Sequence, residues 1–143
     1  ALPITGAVVV STPQPVALAD ARRAVAMFGQ ENINVPVLGI VENMAYFTPE
    51  ELPNNKYYIF GKEGAKHLAG ELKVPFLGEI PLVQAVREAG DTGQPIALQE
   101  DSPQAKAFHS LAQEVVKNVV ARNENLPPSE AIKITNMAGC SSK

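Results

Sequence analysis

Three short apolar runs, each followed by a stretch with helical spacing of its apolar residues, dominate the first part of this chain. The runs occupy residues 5–10, 35–41 and 74–79, and valine and isoleucine are frequent in them. Such runs are typical of strands that are buried on both faces of a parallel sheet. Strands that alternate with helices indicate βαβ crossovers. We therefore predict an α/β fold with a mostly parallel, doubly wound sheet.

The segments after these runs carry the start and stop signals of helices. Pro15 suits the first turn of a helix and Gly29 suits its end. We expect further helices at residues 62–72 and from the end of the third strand to about Ala89. Ser102 is a predicted N-cap that opens a long final helix. The apolar stripe of that helix comprises Phe108, Leu111, Val115 and Val119.

Length and charge exclude several classes of protein. The 143 residues suffice for one domain with a substantial core. A net charge of −3 with scattered basic residues argues against nucleic-acid binding. No apolar stretch approaches the ~20 residues that span a bilayer, and the N-terminus lacks the pattern of a signal peptide. We predict no nucleic-acid or membrane partner and a cytoplasmic location.

The two ends of the chain differ in character. The chain begins abruptly at a core strand, and we therefore expect it to be the later part of a longer protein. The polar residues 123–143 are predicted to form a mobile tail, in which residues 131–135 could instead pair as an edge strand.

Asn43 is the polar residue of most interest, because it follows the second apolar run where the predicted strand ends. In open α/β sheets, ligands bind beyond the carboxyl ends of the strands. An Asn amide offers a donor and an acceptor side by side, which matches the N6 and N7 edge of adenine. Asn after a strand is also a common turn former. From the residues alone both roles remain open.

Other candidate sites have weaker patterns. The Gly61-Lys62 dipeptide does not form a phosphate loop, because glutamate follows the lysine and the preceding glycine is missing; a glycine turn before a helix is favoured. His67 and His109 lack partners at ligand spacing and are interpreted as surface or boundary residues. Cys140 is the single cysteine, which excludes an intrachain disulfide and indicates an incidental thiol. We assign no catalytic residue and no metal ligand.

Aromatic residues cluster after Asn43. Five of the eight aromatics lie within fifteen positions: Tyr46, Phe47, Tyr57, Tyr58 and Phe60. They form either a packed mini-core beneath a long loop or an exposed contact surface. Packing is favoured, because Ile59 and Phe60 directly precede a helix, while the end at Tyr46 and Phe47 could face a partner.

Five blocks of sequence resemble the C-terminal half of the Mrp (ApbC-like) family, P-loop ATPases related to MinD that carry iron–sulfur clusters. The blocks, in order, are LPITGAVVVSTPQ, VPVLGIVENMAYF, IFGKEG, VPFLGEIP and AGDTGQPI. The resemblance implies that residues 1–122 are the C-terminal part of a MinD-like P-loop ATPase domain. The phosphate-binding loop and Mg²⁺ ligands of such a protein precede this stretch. ATP is then the ligand of the full-length homodimer, and residues 1–143 alone are expected to be inactive as an ATPase.

The resemblance also implies roles for individual residues. Asn43 matches the family's adenine-recognising Asn, and Pro81 and Leu82 match the segment that passes beside the base. Gln14 lies in a segment that resembles one near the phosphates or the partner subunit.

Two departures from the family pattern bear on function. The family's cysteine pair for a bridging cluster is absent from residues 48–55, and carboxylates replace thiolates poorly on such a cluster. Val83 stands near a position where the family usually has Asp. The predicted function is ATP-dependent iron–sulfur cluster assembly or delivery, with client or scaffold proteins as partners. The alternative is a non-enzymatic MinD/ParA-like interaction or scaffolding domain.

Overall fold

The computed structural model describes residues 2–49, 51–99 and 102–131 and confirms the alternation of strands and helices. The elements in chain order are β1 (Ala7–Ser11), α1 (Pro15–Phe28), β2 (Val37–Asn43), α2 (Gly64–Leu72), β3 (Phe76–Ile80), α3 (Gln84–Asp91), a 3-10 turn (Ile96–Leu98) and α4 (Pro103–Asn125). The strands begin about two residues later than predicted. Pro36 and Pro75 directly precede β2 and β3, and proline has no N–H to give to a sheet ladder.

The three strands form one parallel sheet, as predicted, and the structure places them in the order β1-β2-β3. Val9 pairs in register with Ile40, and on the other side of β2 Asn43 pairs with Ile80. Helices α1 and α2 cover the face that carries Ile40, and α4 covers the face that carries Val41. The sheet is therefore doubly wound, and all three strands end at the same edge.

The hydrophobic core has one part on each face of the sheet. On the α1 and α2 side its buried residues are Val9, Ala21, Ile40, Ala65, Leu68 and Ala69. On the α4 side, Phe108, Leu111 and Val115 of the predicted stripe pack against Val41, Leu77 and Ile80. Each fully buried Val, Leu or Ile contributes about 1.5–3 kcal/mol. Helix α4 lies over β2 and β3, so Val8 and Val10 of β1 remain 38% and 59% exposed.

The helix boundaries follow the predicted signals with two differences, the first being that α2 begins at Gly64 and not at residue 62. The Ser102 hydroxyl accepts a hydrogen bond from the Ala105 N–H at 2.9 Å, which confirms the predicted cap. Helix α1 ends before Gly29, as predicted. Gly29 has a φ of −80°, however, so it does not adopt the left-handed conformation that commonly makes glycine a helix stop. The left-handed residue in the following turn is Asn34, with a φ of 45°.

The end of the described chain returns to its beginning. Helix α4 runs to Asn125, and an isolated antiparallel bridge then pairs Ala131 with Pro3. Cys140 and most of the possible edge strand lie outside the described residues. Within the described ranges no helix is long and apolar enough to cross a membrane. The mobile tail and the cytoplasmic location stay predictions.

Candidate functional site

The ends of β2 and β3 are joined by backbone hydrogen bonds beyond the sheet. The Ala45 N–H donates to the Ile80 carbonyl at 3.0 Å, and the Leu82 N–H donates to the Tyr46 carbonyl at 2.8 Å. Pro81, which lies between Ile80 and Leu82 in the chain, is buried, whereas Leu82 is half-buried. The structure thus brings Asn43 and the segment after β3 to one place, because parallel strands end at a common edge.

The side chain of Asn43 takes part in a local turn. Its Oδ1 accepts a hydrogen bond from the Met44 N–H at 3.0 Å, and Met44 has a left-handed φ of 54°. Its Nδ2 has no hydrogen-bond partner among the described residues, and Oδ1 keeps a second lone pair. The turn-forming role and a ligand-binding role are therefore compatible, and contact with adenine stays a prediction.

Gln14 lies at the same edge, between β1 and α1. The Thr12 hydroxyl donates to its Oε1 at 3.2 Å, so the Gln14 side chain is held near the chain that leaves β1. The segment between β1 and α1 also packs closely against the start of α2. A Cβ on Gly64 would lie 2.6 Å from the carbonyl oxygen of Pro13. A ligand-binding role for Gln14 stays a prediction.

Glu42 is a buried carboxylate that was not singled out from the sequence. Its side chain points to the α2 face and accepts a hydrogen bond from the Ala65 N–H at 2.6 Å, with only 1% of the residue exposed. It therefore satisfies a backbone donor in the first turn of α2 from a distant strand. The signal that could have identified it was a glutamate directly after an apolar run, within the last residues of the strand.

Burial raises the pKa of the Glu42 carboxyl above its ordinary value. The hydrogen bond from Ala65 opposes this increase, and the neighbouring carboxylate of Glu79, in register on β3, adds to it. The backbone N–H of Glu63 also lowers the pKa, whereas the Glu63 carboxylate raises it. Desolvation outweighs the hydrogen bonds, because water no longer stabilises the charge.

The start of α2 confirms the interpretation of Gly61-Lys62 as a turn before a helix. Gly61 has a φ of 112°, which favours glycine, and α2 begins at Gly64. The anion that lies against this helix start is the Glu42 carboxylate of the chain itself.

The aromatic loop is closed by its backbone. Phe47 and Tyr57 form an antiparallel bridge with two N–H to carbonyl hydrogen bonds of 2.8 Å each. The Lys56 ammonium lies 3.8 Å from the centroid of the Tyr46 ring. We call residues 46–58 the aromatic hairpin.

The preference for a packed mini-core is wrong for most of the cluster. Phe47, Tyr57 and Tyr58 are 37–47% exposed, while Tyr46 and Phe60 are half-buried. The bridge closes the loop without burying these side chains. The aromatic hairpin therefore presents an exposed apolar surface.

The two histidines lie on the surface, as predicted. His67 is exposed, and Nε2 of the exposed His109 lies 2.9 Å from the Ala97 carbonyl oxygen. Across the described ranges, no group of three or more His, Cys, Asp or Glu residues is placed to hold a metal ion.

Comparisons with known proteins identify relatives of this chain. Residues 1–116 match the ParA family, described as NUBPL iron-transfer P-loop NTPase. The chain is 46% identical over 127 residues to the iron–sulfur cluster transfer protein NUBPL of Dictyostelium discoideum, across 87% of this chain and 38% of that protein.

Solved structures share the fold. A nucleotide-binding protein from Archaeoglobus fulgidus, solved in complex with ADP, aligns with a TM-score of 0.57 and 38% identity over 73% of this chain and 40% of that one. The cell division ATPase MinD of Pyrococcus furiosus aligns with a TM-score of 0.59 and 26% identity over 79% of this chain and 43% of that one. The chain thus spans about two fifths of the length of these relatives.

Proposed function

Because this chain belongs to the ParA family of NUBPL iron-transfer P-loop NTPases, we propose that the whole protein binds and hydrolyses ATP and serves in iron–sulfur cluster assembly or delivery. The observation that most directly supports the nucleotide role is the convergence of Asn43 with the segment after β3 at the carboxyl edge. Residues outside this chain would hold the phosphates and Mg²⁺ of a homodimeric protein, since this chain has no phosphate loop.

Asn43 would read the base. Its free Nδ2–H can donate to N7 of adenine, and the remaining lone pair of Oδ1 can accept from the N6 amino group. Guanine has an oxygen where adenine has this amino group, and two acceptors facing each other repel. The free groups of Asn43 therefore suit adenine.

The segment after β3 has a complementary character. Pro81 has no N–H, and the Leu82 N–H is already bonded to Tyr46, so the hydrogen-bonding groups left on these two residues are carbonyl oxygens. Carbonyl oxygens accept from the amino group of adenine and disfavour the oxygen of guanine. Gln14 is assigned to the phosphate side of the same nucleotide or to the partner subunit.

Asn43→Asp in the whole protein is the sharpest test of this site. Aspartate keeps the Oδ1 that holds the Met44 turn but loses the donor to N7. We expect ATP affinity and the preference for ATP over GTP to fall by roughly 5- to 150-fold, the range of one bidentate base contact. Titrations with fluorescent ATP and GTP analogues measure both effects.

Asn54→Asp is the matched control, because Asn54 is exposed in the aromatic hairpin and the substitution adds the same charge. It should leave both affinities unchanged. Unchanged ATP binding in Asn43→Asp would restrict Asn43 to its turn and would remove the base-reading role.

A second candidate function is supported by the aromatic hairpin. Residues 48–55 contain no cysteine, and the single cysteine of the chain is Cys140. Thiolates are the usual ligands of iron–sulfur clusters, so the hairpin does not fit a bridging cluster. Its exposed aromatic side chains suit a protein contact instead. Under this candidate the protein is an interaction or scaffolding factor of the MinD/ParA kind.

Anaerobic reconstitution of the whole protein with iron and sulfide separates the two candidates. The carrier function predicts a brown protein with charge-transfer absorption and about one cluster per dimer, held by four thiolates. A colourless protein that still binds ATP would refute the carrier function and support the scaffold. Cys140→Ser in parallel shows whether the one thiol of this chain takes part.

A further inference from the structure

A concave region lies at the amino ends of the strands, on the opposite edge of the sheet from Asn43. Its volume is about 620 Å³, within the roughly 300–1,000 Å³ of typical ligand sites. We call it the amino-edge cavity. Its walls are the segment before β2, the end of α4, the chain that follows α4, and Ile4 before β1. The proposed nucleotide site contains none of these residues.

Arg122, in the last turn of α4, is the basic residue that lines this cavity. Its Nη2 donates to the Ser129 hydroxyl at 2.9 Å, and its Nη1 donates to Oδ1 of Asn123 at 3.3 Å. Its Nε is buried and has no hydrogen-bond partner among the residues that the structure describes. Both acceptors are neutral. Within the same ranges no carboxylate pairs with Arg122, and a buried N–H without a hydrogen-bond partner is rare in folded proteins.

The unpaired donor lies on the side of the guanidinium that suits a carboxylate. Arginine binds carboxylates through two parallel N–H groups, and Nε–H with one Nη2–H forms such a pair. A carboxylate oxygen that replaces the Ser129 hydroxyl on Nη2 would place the second oxygen at Nε. This exchange would satisfy the buried donor and neutralise the charge in one step.

The residues that form the other walls of the cavity determine what chemistry the rest of a ligand must have. Most are apolar, namely Ile4, Ile33, Val35, Leu126 and three prolines at positions 36, 127 and 128. Prolines have no N–H, so these walls offer little for the ladder of a peptide backbone. Glu130 is the acidic lining residue, and it is exposed, where solvent and salt screen its charge. These features favour a small molecule over a peptide.

We propose that the amino-edge cavity binds a small aliphatic monocarboxylate, with its carboxylate on Arg122 and its hydrocarbon part against Ile4 and Leu126. The site is independent of the nucleotide site, because it lies at the other edge of the sheet. Its test can therefore fail without affecting the proposed ATPase function.

The test uses the whole protein and two probes of the same shape, 4-methylpentanoate and its uncharged amide, 4-methylpentanamide. Ligand-detected NMR should show saturable binding of the acid and much weaker binding of the amide. Arg122→Met keeps the apolar stem and removes the charge. It should weaken binding of the acid by roughly 10- to 100-fold, the range for charge-assisted hydrogen bonds. Arg23→Met, on the exposed surface of α1, should leave binding unchanged.

Ile4→Trp provides a second variant that leaves Arg122 in place. The larger ring should fill the cavity and abolish binding of the acid, which keeps the test valid if Arg122→Met does not fold. Equal binding of acid and amide, or unchanged binding of the acid in either variant, would overturn the proposal. Binding of only a short peptide with a free C-terminal carboxylate would also overturn it and would assign the cavity to a peptide terminus.

Discussion

Replacing Gly39 with alanine is expected to lower the free energy of unfolding by roughly 3–5 kcal/mol, through overpacking and backbone strain together. Gly39 lies in the central strand β2, with a φ of 154° that L residues rarely adopt. A Cβ there would lie 2.6 Å from both Leu77 Cγ and the Pro75 carbonyl oxygen. The leucine can rotate, but the carbonyl belongs to the chain that enters β3 and cannot move without separating the two strands.

Gly70→Ala is the matched control for this substitution. Gly70 lies in α2 with open space around the position of a Cβ, and alanine is the better helix former by about 1 kcal/mol. The two alanine variants should therefore shift the urea midpoint of unfolding in opposite directions. A Gly39→Ala protein as stable as the wild type would show that β2 and β3 are not packed as closely as described.

Glu42→Gln is expected to remove a pH dependence of stability. The pKa of Glu42 is raised in the folded protein by burial, so the folded state favours the protonated carboxyl more than the unfolded state does. The resulting stabilisation is complete below the ordinary glutamate pKa of 4.5. It is lost as the pH rises through the raised pKa of the folded state. The wild type should thus lose stability relative to Glu42→Gln across this window.

The amide of the Gln variant has no charge to desolvate, and its oxygen can still accept from the Ala65 N–H. At neutral pH, Glu42→Gln should therefore be more stable than the wild type in urea unfolding. Glu51→Gln removes an exposed carboxylate of the aromatic hairpin, and we expect a change of less than about 0.5 kcal/mol. A parallel pH dependence in wild type and Glu42→Gln would contradict the prediction.

The Glu42→Leu variant distinguishes the effect of the charge on stability from the effect of the hydrogen bond. Leucine has similar bulk but no acceptor, so the Ala65 N–H would be buried without a partner. Glu42→Leu should be about 1–3 kcal/mol less stable than Glu42→Gln, the cost of an unsatisfied buried donor. Equal stability of the two variants would show that water reaches the start of α2.

The positions of the strands show how much of the fold the local sequence pattern predicts. Apolar runs identified all three strands and their parallel arrangement, because a strand buried on both faces needs apolar residues throughout. The starts of β2 and β3 were placed too early, although Pro36 and Pro75 marked them in the sequence. The Ser102 cap was predictable, since its partner Ala105 is three residues away.

The proposed nucleotide site was predictable in part. Asn43 was placed at the end of a strand by the sequence, and the fold confirms that position. Its pairing with Ile80 and the bonds that fix Leu82 depend on β3 lying beside β2. The aromatic hairpin was harder to predict, because clustered aromatics suit both a buried and an exposed arrangement, and the start of a helix next to Phe60 favoured the buried one.

The sequence by itself determined the order and type of the elements, the parallel sheet and the place of Asn43 at its edge. These features depend on residue periods and on neighbours a few positions apart. Only the tertiary structure decided that Glu42 bonds the start of α2, that Phe47 and Tyr57 remain exposed, and that Arg122 faces a cavity with an unpaired Nε. Each of these features depends on which distant segments of the chain pack together. That packing determines which side chains are buried and which charges find a partner.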